Sequence, residues 1–293
     1  MEYALLGLTV FGVYIQTIFR KNFSLKNENT LSAHCLYGMC LSCGALLFFE
    51  LVRRIMGAPF TLHLPTMGYA AIFSVMYTSC NILANLAVAT GPLGLTSLLS
   101  SYALLIPTLF GLIFLNNPVK LLSMIGLVFL LLSLYFVRTK DKEQVFRKGW
   151  LAFVIGSMVT NGMCSVMQTL HQAAFPAQYR FEMLEFSMIF TIFLNIGVLG
   201  FLCARKKTAP KSVKELFAGQ YLAPISGLFN GVVNYLVITL VSVLPAALLF
   251  PMVSAGGLLL TGATSLAFYK ERYTRQQYLG FFMGLIAVVL MNL

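Results

Sequence analysis

The sequence predicts an all-α, polytopic membrane protein: ten transmembrane helices arranged as two inverted five-helix repeats. Three observations predict it. The composition is too apolar for a water-soluble core, apolar segments of crossing length alternate with short loops, and several small motifs recur in both halves in one order.

The chain has 293 residues, of which 59% are hydrophobic and 10% charged. Soluble domains carry about 25% charged residues. Lipid is therefore the natural solvent for this surface. A helical crossing takes about 20 mostly apolar residues, so ten crossings use roughly 200 and leave short connections. The net charge of +11 comes from 20 Lys and Arg against nine Asp and Glu. A nucleic-acid binder would gather these cations into a patch on a soluble domain. Here they lie between apolar runs, so membrane lipids and no nucleic acid are the expected partners. The start, Met1-Glu2-Tyr3, runs directly into an apolar stretch. It lacks the basic start and cleavage site of a signal peptide and is expected to be a retained crossing.

Apolar segments fall at 3–19, 31–51, 66–89, 93–115, 120–137, 149–171, 183–204, 220–241, 246–269 and 275–293. The third and fourth are parted by Gly91-Pro92, and the eighth and ninth near Pro245 with no charge between them. Loops after the odd-numbered segments hold 16 of the 20 basic residues. The positive-inside rule then puts those loops in the cytoplasm and both termini outside. The expected location is a bacterial cytoplasmic membrane.

The two halves resemble each other. Asn81 and Asn85 recur as Asn230 and Asn234 at an offset of 149, and Ile15-Gln16-Thr17-Ile18 parallels Met167-Gln168-Thr169-Leu170 at 152. Phe114-Leu115-Asn116-Asn117 followed by Gly126 parallels Phe268-Tyr269-Lys270-Glu271 followed by Gly280 at 154. The common order points to repeats over 1–138 and 149–293 joined by a charged cytoplasmic linker, 139–148. Five crossings per repeat force the second to enter the membrane in the opposite sense. That is the layout of many secondary transporters, which bind substrate between the halves.

The 5+5 layout, with Glu271 after the ninth segment and Gly280 nine residues later, resembles the EamA-type drug/metabolite transporters. The carrying stretch is Phe268-Tyr269-Lys270-Glu271-Arg272-Tyr273-Thr274-Arg275-Gln276-Gln277-Tyr278-Leu279-Gly280. The resemblance implies export or exchange of small metabolites. The first-half copy carries Asn117 where an acid is usual, which fits an anchoring role for Glu271.

Polar side chains within crossings face other helices or a wet cavity. A spacing of four puts Asn81 with Asn85, and Asn230 with Asn234, on one helix face. Their amides suit the carboxylate, amide or hydroxyl groups of a substrate; they equally suit ties between helices. The substrate-binding candidates are Tyr14, Gln16, Asn81, Asn85, Tyr102, Asn161, Gln168, Asn230, Asn234 and Tyr235. Tyr14, Tyr77, Tyr102 and Tyr235 could cage a cation. His171, near a segment end, is expected to be interfacial and water-exposed.

All nine acids fall at segment ends or in loops, so a buried carboxylate driving cation efflux is disfavoured. Cys40-Leu41-Ser42-Cys43 is C-x-x-C in form, yet it stands alone inside an apolar segment and reads as packing. The sequence offers no metal cluster, cofactor motif or nucleophile–base set, and His34, His63 and His171 are scattered, so no enzyme is expected. The reading is a secondary transporter moving a small neutral or zwitterionic metabolite by alternating access, as monomer or homodimer. Its rivals are a flippase of the same fold, with Arg53-Arg54 or Arg205-Lys206-Lys207 meeting lipid headgroups, and an accessory subunit.

Overall fold

The computed structural model describes residues 2–26, 30–114, 121–137, 148–205, 220–244, 246–269 and 274–292. These form helices and turns, with no strand among the described residues. Asn116, Asn117, linker residues 139–147, Lys206, Lys207, Pro245 and the motif residues 270–273 lie outside them.

Helix α1 spans Glu2–Lys26. It therefore runs a full seven residues past the apolar segment read at 3–19, and Arg20 is helical rather than in a loop. Phe23 explains the extension. It is fully buried, its ring 4.4 Å from Tyr37 and 6.0 Å from His34, so packing holds the turn that the charges interrupt.

Helix α2, Leu31–Ile55, starts on Thr30, whose hydroxyl accepts from the Ala33 N–H at 3.3 Å. It stops at Gly57, which takes φ +64, a conformation favouring glycine. The Gly57 and Ala58 N–H groups close back on the carbonyls of Arg54 and Arg53, the Schellman pattern. Helix α3, Leu64–Thr90, has Pro65 in its first turn, where a missing N–H costs nothing. Gly91-Pro92 then turns the chain.

Read as one segment, 93–115 is instead broken into α4 (Leu93–Ser101), a 3₁₀ turn (Tyr102–Leu104) and α5 (Leu105–Phe114). Pro107 has no N–H to give the carbonyl of Ala103, four residues back. Gly162 of a neighbouring helix sits there; a Cβ on it would stand 2.7 Å from that carbonyl oxygen. The remaining helices are α6 (Leu121–Val137), α7 (Trp150–Ala174), α8 (Arg180–Ala204), α9 (Leu222–Leu240), α10 (Ala246–Ala267) and α11 (Arg275–Asn292).

Five of these, α2, α3, α7, α8 and α9, are long and apolar enough to cross a membrane. Large apolar side chains cover the outside: Leu47, Phe193, Phe201 and Phe282 are each more than half exposed. The chain is an integral membrane protein. In packing, α3 lies on α7 and α8, α9 lies on α1 and α2, and α6 pairs with α11. The α2–α9 contact is a backbone approach, since a Cβ on Gly227 would stand 2.1 Å from the Leu41 carbonyl oxygen and one on Gly44 2.2 Å from that of Pro224. Small residues serve this purpose in membrane helices, where dispersion replaces the hydrophobic drive.

Candidate functional site

A cavity of about 270 Å³ opens between α1, α3, α4, α7, α9 and α10. Each helix contributes one stripe. On α1 it is Val13, Gln16, Thr17 and Arg20; on α9 it is Asn230, Val233, Asn234 and Val237. Both follow the three-and-four spacing of a single helix face. Helix α4 adds Ser97, Ser100 and Ser101, α7 adds Ser157, Asn161, Ser165 and Gln168, and α10 adds Ser254 and Thr261.

Four amides of this wall bond one another in a chain. Gln168 Nε2 donates to Asn234 Oδ1 at 3.1 Å, and Asn234 Nδ2 to Asn230 Oδ1 at 3.0 Å. Asn230 Oδ1 also receives the Tyr77 hydroxyl at 2.6 Å, while Asn230 Nδ2 donates to Gln16 Oε1 at 2.7 Å. The chain ends where Gln16 Nε2 meets the Gly12 carbonyl at 3.3 Å. It crosses α7, α9, α3 and α1. Asn161 is exposed and lines the cavity.

Of the ten sequence candidates, Gln16, Asn81, Asn161, Gln168, Asn230 and Asn234 line the cavity; Tyr14, Asn85, Tyr102 and Tyr235 do not. The α3 stripe runs Tyr77, Asn81, Ala84, Val88, so after Asn81 the face continues with Ala84. Asn85 is turned away, fully buried, and neither atom of its amide has a partner. The Tyr14 hydroxyl accepts from Thr264 at 3.0 Å. Tyr102 bonds Ser133, which donates to the Gly280 carbonyl at 2.5 Å, tying the 3₁₀ turn to α6 and α11. Tyr235 stacks on Phe181 and donates to Met56 Sδ at 3.3 Å. With Tyr77 alone at the wall, the four tyrosines form no cage.

Arg20 is the functional residue that the apolar segments miss. It lines the cavity, and its Nη2 donates to Asn81 Oδ1 at 2.9 Å. Its four-residue spacing from Gln16 is the signal that places it on the same face.

His171 is also a correction: it is fully buried rather than water-exposed. Its Nε2 lies 3.1 Å from Thr66 Oγ1 and its Nδ1 3.0 Å from Gln172 Nε2. Arg180 extends the network, donating to Gln172 at 3.3 Å and to Ser242 at 2.6 Å. At the same end, Arg53 joins Glu185 at 3.0 Å as well as Glu50, and Glu182 accepts from the Thr61 hydroxyl at 2.9 Å. Those acids are occupied, and none of them lines the cavity. Among the described residues no group of three or more His, Cys, Asp or Glu could hold a metal ion.

The whole chain shares its fold with a solved structure described as "Crystal structure of protein". The two match at TM-score 0.65 over 99% of this chain and 97% of that one, with 11% identity. At that identity the likeness speaks to the fold alone. No family model matches the chain, and no curated protein matches it.

Proposed function

We propose that the chain is a secondary transporter that carries a small neutral or zwitterionic metabolite across the membrane by alternating access. The observation that carries this reading is the cavity itself. It lies between six helices, carries amide and hydroxyl side chains beside an apolar wall, and is bounded by amides that tie α1 and α3 to α9 across the chain. A purely structural bundle would close over such a space, whereas here Asn161 is exposed and serine hydroxyls of α4, α7 and α10 line it.

The proposal takes the helices as ten crossings in two inverted halves, 1–138 and 149–293, resembling the EamA type, with both termini outside. The packing supports the duplication. Exchanging the halves turns the contacts of α3 with α7 and α8 into those of α9 with α1 and α2, and returns α6–α11 to itself. The cavity then draws three crossings from each half, as a site on the pseudo-symmetry axis requires.

The test is a thermal-shift screen of the purified protein against amino acids, sugars, nucleosides, quaternary amines and lipid headgroups, followed by uptake of each stabilising compound into proteoliposomes. A ligand of the folded state raises its stability by mass action. Uptake that is lost in Asn234→Ala supports the transporter. Binding without uptake, or shifts by lipid headgroups alone, refutes it and favours the accessory or flippase reading.

A further inference from the structure

We infer that the cavity takes a substrate bearing one carboxylate, and that this group docks on the Arg20 guanidinium and the Asn81 amide. The inference rests on the transporter reading and narrows it to zwitterions that carry a carboxylate; lactate, a plain anion, serves only as a probe of the carboxylate.

The first argument is charge. Arg20 is six residues from the Lys26 end of α1, roughly 9 Å along the helix axis. A side chain of its length could reach back toward that end. It does not: its Nη2 is bonded to Asn81 at the cavity wall. Among the described lining residues Arg20 is the one that carries a charge, and none is Asp or Glu. The described acids with assigned bonds, Glu50, Glu182 and Glu185, are engaged with Arg53, Arg54 and Thr61. An ionised group inside a membrane segment is costly and marks a ligand path by default.

The second argument is donor bookkeeping. A guanidinium has five N–H groups and accepts nothing. Its contact therefore fixes the Asn81 amide with Oδ1 toward Arg20 and Nδ2 away. Asn81 is 4% exposed, and its Nδ2 makes no hydrogen bond of normal geometry; the Tyr77 hydroxyl lies beside it but donates to Asn230. The Arg20 Nε makes no hydrogen bond either. The other amides of the described wall, the exposed Asn161 apart, are joined in the chain from Gln168 to Gln16. The buried atoms left over among the lining residues are thus both donors. What they lack is an acceptor, and a carboxylate supplies two oxygens that suit a guanidinium fork.

The third argument is count and size. One cation balances one negative charge; a dianion would enter with charge unmatched. The volume of about 270 Å³ lies just below the range of roughly 300–1,000 Å³ usual for drug-sized ligands. Val13, Val233, Val237, Phe250 and Val253 give the remainder of the molecule an apolar wall. The site is also one-sided. At the offset of 152 that relates Gln16 to Gln168, the residue matching Arg20 is the neutral Gln172. A substrate is therefore held by one end.

The experiment compares matched probes on the full chain: leucine, methionine and phenylalanine, the carboxamide and the decarboxylated amine of each, lactate with lactamide, and glycerol 3-phosphate. Thermal shifts are read in detergent, and uptake in proteoliposomes. The expected result is stabilisation by one or more acids, with amides and amines inert. Arg20→Gln should then weaken the acid by at least about tenfold, and Arg20→Lys by less, as suits a lost charge-assisted bond. If Arg20→Gln fails to fold, Arg20→Lys and Asn81→Ala give the same comparison.

Amides or amines that stabilise as well as acids overturn the carboxylate and leave the transporter standing. So does acid binding indifferent to Arg20→Gln. Glycerol 3-phosphate acting alone assigns the donors to a phosphate headgroup and overturns the inference. Acids that bind through Arg20 without being taken up support the site and refute the transporter. Silence from every probe overturns the carboxylate.

Discussion

Arg20 Nη2 donates to Asn81 Oδ1 at 2.9 Å, joining α1 to α3 at a cavity wall whose described residues include no carboxylate. The contact has a direct consequence for substitution. Asn81→Asp places an anion against the guanidinium in the position that a substrate carboxylate would neutralise. The variant should fold with a Tm equal to or above the parent, and should lose carboxylate binding by at least about tenfold. A thermal-shift titration of parent and variant measures both quantities. A variant that binds acids normally would show that Arg20 is structural.

The amide chain predicts a graded series. Tyr77→Phe removes one donor from Asn230 Oδ1, which still receives Asn234 Nδ2. Its cost should be near the membrane average of about 0.6 kcal/mol. Asn230→Ala strips partners from Tyr77, Gln16 and Asn234 together and should cost about 1–3 kcal/mol. Reversible unfolding in mixed micelles gives the ordering, and equal effects would mean that Asn230 is not the hub.

What the sequence made legible, and what it hid, follows from how each signal arises. The all-helical membrane class rests on hydropathy summed over long windows, and one residue cannot reverse it. Arg20 was hidden by the same averaging: Arg20-Lys21-Asn22 ends an apolar window, while Phe23 continues the helix by packing on Tyr37. Asn85 shows the limit of a four-residue spacing. Four residues turn the helix about 40° past a full circle, and the cavity stripe on α3 takes the step of three, to Ala84. On α9 the step of four holds, so Asn230 and Asn234 both line the cavity. His171 was misplaced because nearness to a helix end says nothing about the neighbours, here Thr66 and Gln172, that cover it.

The glycines of the α2–α9 contact should be intolerant. With backbone carbonyls 2.1 and 2.2 Å from the positions of added Cβ atoms, Gly227→Ala and Gly44→Ala must push the helices apart. Overpacking of this kind costs about 1–3 kcal/mol. Gly197→Ala and Gly200→Ala, with nothing within 4 Å, should be neutral or slightly stabilising. Fluorescence-detected size exclusion after heating separates the two pairs, and uniform tolerance would contradict the close approach.

The last prediction concerns motion. Thr66, His171, Gln172, Arg180 and Ser242 link α3, α7, α8 and the end of α9 in one hydrogen-bonded path, one turn beyond Gln168 at the cavity wall. In an alternating-access cycle this path must part before the cavity can open to that end. Arg180→Met removes the bonds to Gln172 and Ser242 while keeping an unbranched apolar stem. A loss of about 1 kcal/mol shifts a two-state equilibrium roughly fivefold. Cys164 reports it, since the thiol is free, buried and part of the lining. With the other cysteines replaced by serine, Cys164 should react several-fold faster with a small sulfonate thiol reagent added on the side of the termini. Unchanged reactivity would assign the path to holding helices together, because a tie that does not limit access has no part in gating.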